Sequence, residues 1–226
     1  MIINSSSDKP FIDVDVVGIA ISRNHQHNQN HIAILYKYDD IEAEPLILHV
    51  ATHHKFLKEL PDSRYLWLDL SGDFDSIDRA IICGHVQKIA DANSIDSIQY
   101  GLDVNSKFID SETGKFKSTM NNIGLTCGTF ILEVFESCGF KLINWDSWPK
   151  NQKSDIKWQK KIIELVFSRL PDVPKDYLER QSKNIGNARF LPEEVAASTQ
   201  LEIPVNKAKV KKPALDIRKA LIKHST

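Results

Sequence analysis

The chain has 226 residues, 42% of them hydrophobic and 26% charged, with a formal net charge of −1. That is enough apolar content to bury a core, and a near-neutral balance gives no electrostatic reason to expect a nucleic acid or membrane surface as partner. The opening Met1-Ile2-Ile3-Asn4 has no basic region ahead of an apolar stretch, no apolar run approaches the roughly 20 residues of a membrane span, and three cysteines fit a reducing compartment, so a cytoplasmic location is expected.

Phe11 to Ser22 is rich in Val and Ile and reads as a strand, followed by a polar loop from Arg23 to Asn30. His31 to Tyr38 alternates, with His31, Ala33, Leu35 and Lys37 on one face and Ile32, Ile34, Tyr36 and Tyr38 on the other. Asp39 and Asp40 supply turn chemistry, and Leu46 to Ala51 reads as the returning strand of a hairpin. Arg64 to Leu70 predicts another strand. A helix capped by Asp75 or Ser76 is expected to run to about Asn93, with Cys83 in its core. Ser97 to Leu102 and Lys107 to Ile109 read as two further strands.

Thr126 to Gly139 carries the clearest helical pattern. Thr126 suits the N-cap, Phe130, Ile131, Val134, Phe135 and Cys138 form one stripe, and Gly139 suits the C-terminal end. A last long helix is expected from Ser154 to just before Pro171, carrying Trp158, Ile162, Ile163 and Val166. Beyond it come Pro171, Pro174, Pro192, Pro204 and Pro213, and then a basic end with seven Lys/Arg between Lys207 and Lys223 against Asp216. The reading is therefore an α+β domain over 11–170, with 171–226 as a Pro-containing C-terminal arm. The arm is either wrapped on the body or ordered on binding, and its basic end is a candidate surface for a protein partner.

The chemistry centres on Cys127. A thiol at a helix start meets unsatisfied backbone N–H groups and the positive end of the helix dipole, which would lower its pKa from about 8.5 and supply donors for an oxyanion. Gly124 and Gly128 leave room for a sharp turn and a close approach. The plainer alternative makes Cys127 the first buried residue of its apolar stripe.

A cysteine nucleophile needs a base, and the base needs an orienting group. The histidine that follows Cys127 is His224 in the tail, so the base is sought upstream among His25, His27, His31, His49, His53, His54 and His85. His31 and His49 stand out: each is nine residues from Asp40, so a turn centred there would set them opposite one another on one face of the hairpin. Shifting the turn by one residue would instead bring Ile47 or Ala51 opposite His31. A metal site of His25, His27 and His31 lacks helical or CxxC spacing, and neither a metal nor another cofactor is expected. Asn121 and Asn122 could lend an oxyanion donor or serve a turn, and Trp145 and Trp148 could line a groove or clamp a loop.

The order His31-Ile-Ala-Ile-Leu-Tyr, then Leu48-His49-Val50, then Cys127-Gly-Thr-Phe at a helix start resembles the circularly permuted papain-like superfamily. That group includes the permuted NlpC/P60-type hydrolases, the lecithin:retinol acyltransferase-like proteins and the desumoylating isopeptidases. The resemblance spans about residues 15–140, and Thr126 stands where several members have Asn. It implies an antiparallel sheet packed on the cysteine helix, with Cys127 as nucleophile, His31 as base and His49 as third member. The implied function is a cysteine-dependent peptidase or amidase acting on a peptide, amide or acyl substrate. The alternatives are an acyltransferase or thioesterase of the same superfamily, or a non-catalytic binding protein that keeps the fold.

Overall fold

The computed structural model describes residues 1–24, 29–38, 43–117, 123–168 and 173–224. Asp39, Asp40, Asn121, Asn122, His25 and His27 lie outside them. The class is α+β. Among the described residues six strands form one antiparallel sheet: β1 (Asn4–Ser5), β2 (Val17–Asn24), β3 (Gln29–Tyr36), β4 (Leu46–Thr52), β5 (Lys55–Glu59) and β6 (Tyr65–Asp69), in the order β1-β6-β2-β3-β4-β5. Among the described residues six α-helices accompany them: α1 (Ser76–Ala92), α2 (Cys127–Ser137), α3 (Lys153–Ser168), α4 (Lys175–Lys183), α5 (Pro192–Ser198) and α6 (Lys207–His224).

Strand alternation divides the sheet into two faces. Ile19, Ile21, Ile32, Ile34, Tyr36, Leu48, Val50, Leu66 and Leu68 join one large core with residues of α1, α2, α5 and α6. Each fully buried Ile or Leu there contributes about 1.5–3 kcal/mol. Ala20, Ala33, Leu35, Ile47, Tyr65 and Trp67 form a smaller cluster on the other face with Phe11 and Val14. Part of the N-terminal segment lies across that second face: the Trp67 indole N–H donates to the Lys9 carbonyl at 3.0 Å, and the Lys9 ammonium sits over the ring.

Several expectations change. The strand expected from Phe11 starts only at Val17, because Pro10 leads into a short 3-10 turn at Phe11–Asp13. The expected loop Arg23–Asn30 is shorter, since β2 extends to Asn24 and β3 begins at Gln29. Neither Ser97–Leu102 nor Lys107–Ile109 joins the sheet. Ile95–Ser97 is a 3-10 turn, and Gln99 and Ile109 make only isolated bridges with Gly124 and Phe116. The short strand β5 carries no clear alternation of its own and is held by pairing with β4. Residues beyond Pro171, expected as an arm either wrapped on the body or ordered on binding, form three helices among the described residues, and their Val195, Ala196, Val210, Ile217 and Leu221 are buried in the main core.

Candidate active site

The nucleophile position is built from the local sequence. Thr126 caps α2: its hydroxyl accepts from the Thr129 amide at 3.1 Å, and the Thr129 hydroxyl accepts from the Thr126 amide at 2.8 Å. This reciprocal box fixes where the helix begins and puts Cys127 in its first turn. Gly128 is required by packing, since a Cβ there would stand 2.8 Å from the Phe190 carbonyl oxygen.

The segment before α2 is braced by a second strip of chain. The Leu125 amide donates to Gln99 O at 3.0 Å and the Asp103 amide to Gly124 O at 2.9 Å, so residues 99–103 run beside 124–125 and bring Tyr100 to the start of α2. The buried Asp103 carboxylate anchors this strip. It accepts from the Gly124 amide at 2.9 Å, from Arg180 at 3.2 Å, from Gln181 at 2.6 Å and from Asn184 at 3.0 Å, the last three extending from α4 and its end.

Cys127 is 7% exposed. Burial pushes its thiol up to about 11, against the opposing pull of the Ile32, Gly128 and Cys127 amides and the Arg189 charge. The depressed pKa expected for a helix-start thiol is therefore corrected: desolvation outweighs the amides and the Arg189 charge together. The Ile32 amide comes from β3 at a point past the β3–β4 pairing, whose register covers Ile34–Leu48, Leu35–Ile47 and Tyr36–Leu46. The sulfur thus reaches the edge of β3 where β4 has parted from it, one residue from His31.

His31 and His49 come together on the other face. His31 Nε2 and His49 Nδ1 are 2.6 Å apart, with the rings edge to face, and His49 Nε2 lies 3.1 Å from Glu59 Oε1. The Glu59 carboxylate can only accept, so His49 carries its proton on Nε2, its Nδ1 accepts from His31 Nε2–H, and the His31 lone pair is left on Nδ1. His31 also meets the Tyr65 ring, and Ser22 pairs in register with both His31 and Tyr65. Burial, then His49, then Arg64 hold His31 down to about 3. Burial also lowers His49, with Glu59 opposing it. At neutral pH both imidazoles are uncharged.

The three residues singled out in the sequence therefore fall into two groups. His31 and His49 form one hydrogen-bonded unit, while Cys127 arrives at the same strand edge from the opposite face of the sheet. A cavity of about 520 Å³ opens on the Cys127 side, lined among others by Asn30, Tyr100, Trp158, Arg189, Glu193 and Arg218. Among the described residues, no histidine lines it. His53 accepts from the Tyr100 amide at 3.3 Å, His54 contacts Asp96 O, and His85 contacts Ser137. Trp148 is buried beside Phe190 and Glu194, clamping the α5 region, whereas Trp145 packs edge to face on Phe190 and bonds Glu136.

Glu59, Tyr100 and Arg189 escape the sequence reading. Glu59 sits on the strand that was not foreseen, ten residues after His49 across a tight turn, and an acid at that spacing was the available signal. Tyr100 and Arg189 reach the cavity through tertiary packing and leave no local pattern. Among the described residues, no group of three or more His, Cys, Asp or Glu could hold a metal ion, and no helix is long and apolar enough to cross a membrane. Compared with protein-family models, with curated proteins and with solved structures, the chain gives no match.

Proposed function

We propose that the chain is a cysteine-dependent hydrolase of peptide, amide or other acyl substrates, built in a permuted papain-like order. The observation that carries the reading is the Glu59–His49–His31 chain, which leaves a free lone pair on His31 Nδ1 beside the strand edge that Cys127 reaches. His31 is the base, His49 fixes its tautomer, and Glu59 fixes that of His49.

Because the thiol and both imidazoles rest uncharged, the reaction starts from a neutral pair. The His31 lone pair and the S–H stand on opposite faces of the sheet at rest, so the step requires them to meet around the edge of β3 that β4 leaves free. There His31 takes the S–H proton as the sulfur attacks the substrate carbonyl carbon. Amides at the start of α2 receive the developing oxyanion. The imidazolium then protonates the leaving nitrogen or oxygen as the carbonyl bond to it breaks, giving an acyl-cysteine. Water, deprotonated by His31, releases the acid and restores the thiol. An acceptor other than water at this last step would make the same site an acyltransferase.

A second reading is a binding protein in which Cys127 stays a thiol. It is favoured by one observation: neither His31 nor His49 lines the cavity that Cys127 opens into. The test is to incubate the protein with p-nitrophenyl acetate at pH 6–10 and follow both turnover and acetyl mass on the Cys127 peptide. Acetylation at Cys127 with turnover, and a loss of at least about a hundredfold in His31→Ala, is the expected result. Absence of acetylation across that range removes the hydrolase reading and leaves the binding one.

A further inference from the structure

The acids around the cavity are unevenly occupied. Glu193 is held by Arg218 and by Asn30 at 2.9 Å, and Glu194 by Lys207 with the Trp148 indole at 3.4 Å. Asp155 comes only within 4.0 Å of Arg189, beyond hydrogen-bond reach. Arg189 is 21% exposed, and its guanidinium lies 3.9 Å over the Trp158 ring. The stacking orients the planar fork but uses none of its N–H donors. The Trp158 indole N–H below it is likewise buried without an acceptor. Arg189 is close enough to Cys127 for its charge to act on the thiol.

A largely buried guanidinium with a loose acid partner, next to a second donor without an acceptor, calls for an anion with two planar oxygens. We propose that Arg189 is the specificity-determining residue of this cavity and seats a carboxylate of the ligand, so that the acyl substrates are those with a free carboxylate near the carbonyl presented to Cys127. That the ligand is a substrate rests on the hydrolase reading, whereas the carboxylate seat does not. Glu193 and Glu194 are already engaged by Arg218 and Lys207. The charged side chains that line the cavity, Arg23, Arg189 and Arg218 against Asp155 and Glu193, leave one positive charge in excess.

The experiment uses full-length Cys127→Ser protein labelled with nitrogen-15, following the Trp158 indole and Arg189 Nε resonances during titration with N-acetylalanine and with N-acetylalaninamide. The acid is expected to shift both resonances and to bind about tenfold more tightly than the amide, and Arg189→Gln is expected to abolish the difference. The acid–amide comparison needs no change at Arg189, so it decides the matter even where that variant does not fold. Equal binding of the two probes, or no shift of these resonances by either, overturns the proposal. Failure of the hydrolase reading shows elsewhere, as a wild-type Cys127 that takes no acetyl group while the carboxylate preference stands.

Discussion

His31 and His49 meet along a diagonal of the β3–β4 pair, not straight across it. The pairing of Leu35 with Ile47, continued along the strands, sets Ala51 opposite His31, yet the ring nitrogens are 2.6 Å apart. A diagonal contact suits long side chains and brings the rings together edge to face, so that a nitrogen of one can address a nitrogen of the other. The geometry makes Glu59 matter although its side chain is 46% exposed. Glu59→Gln should change stability by less than about 1 kcal/mol, while an amide can also donate and no longer dictates the His49 tautomer. Hydrolysis by Glu59→Gln should fall about tenfold or more, read as kcat with urea unfolding as control. Unchanged kcat would mean the carboxylate plays no part in the relay.

The protonation states give a second test. With Cys127 at about 11 and His31 at about 3, thiolate forms at Cys127 only in strong base. Iodoacetamide labelling of Cys127 should rise with pH towards about 11 and, at pH 7, run about two orders of magnitude slower than for an exposed thiol. Peptide mass spectrometry across the pH range provides the profile. A labelling plateau already reached at pH 6 would establish a resting thiolate–imidazolium pair and refute the neutral one.

Acid sensitivity follows from the same burial. His31 takes its proton near 6.5 in an unfolded chain and near 3 in the fold, and His53 is held down to about 4; His49 and His85 move the same way. Between those values the unfolded chain binds more protons than the folded one. Their full contribution to stability is therefore present above pH 6.5 and is lost as pH falls towards 3. The urea midpoint should drop steadily from pH 7 to pH 4.5, and His31→Asn should flatten part of that drop. An identical slope in the variant would show that His31 does not titrate on unfolding.

Asp103 offers a stability test away from the chemistry. Its buried carboxylate receives Gly124, Arg180, Gln181 and Asn184, so Asp103→Ala strands four donors at once. A loss of about 3 kcal/mol is expected, together with faster labelling of Cys127 as the 99–103 strip loosens. A loss below about 1 kcal/mol would mean that water replaces the carboxylate readily.

Local patterns carried the elements with strong periodicity. The Thr126 cap, the α2 stripe and the His31 strand are each written in adjacent residues, and the structure forms them there. The β3–β4 hairpin is readable in its strands but not in its register, because moving the turn by one residue slides the pairing by two, which keeps every side chain on its own face and leaves the alternating pattern unchanged. The thiol pKa was misjudged for a different reason. A helix start is a local feature, whereas the desolvation that overrides it comes from packing against β3 and from residues far along the chain. The helices beyond Pro171 have short or Pro-interrupted patterns, and it is the shared core around Val195, Ile217 and Leu221 that holds them.

The Gly128–Phe190 contact bears on the order in which the protein is made. Cys127 and the strands behind it leave the ribosome well before Arg189, Phe190, Glu193 and Arg218, which wall the cavity, Phe190 also closing on Gly128 of α2. During synthesis the thiol is therefore uncovered, without the packing that suppresses its ionisation. The reactive group passes through an open stage before the finished fold closes around it, and a nascent chain should be more easily alkylated at Cys127 than the completed protein.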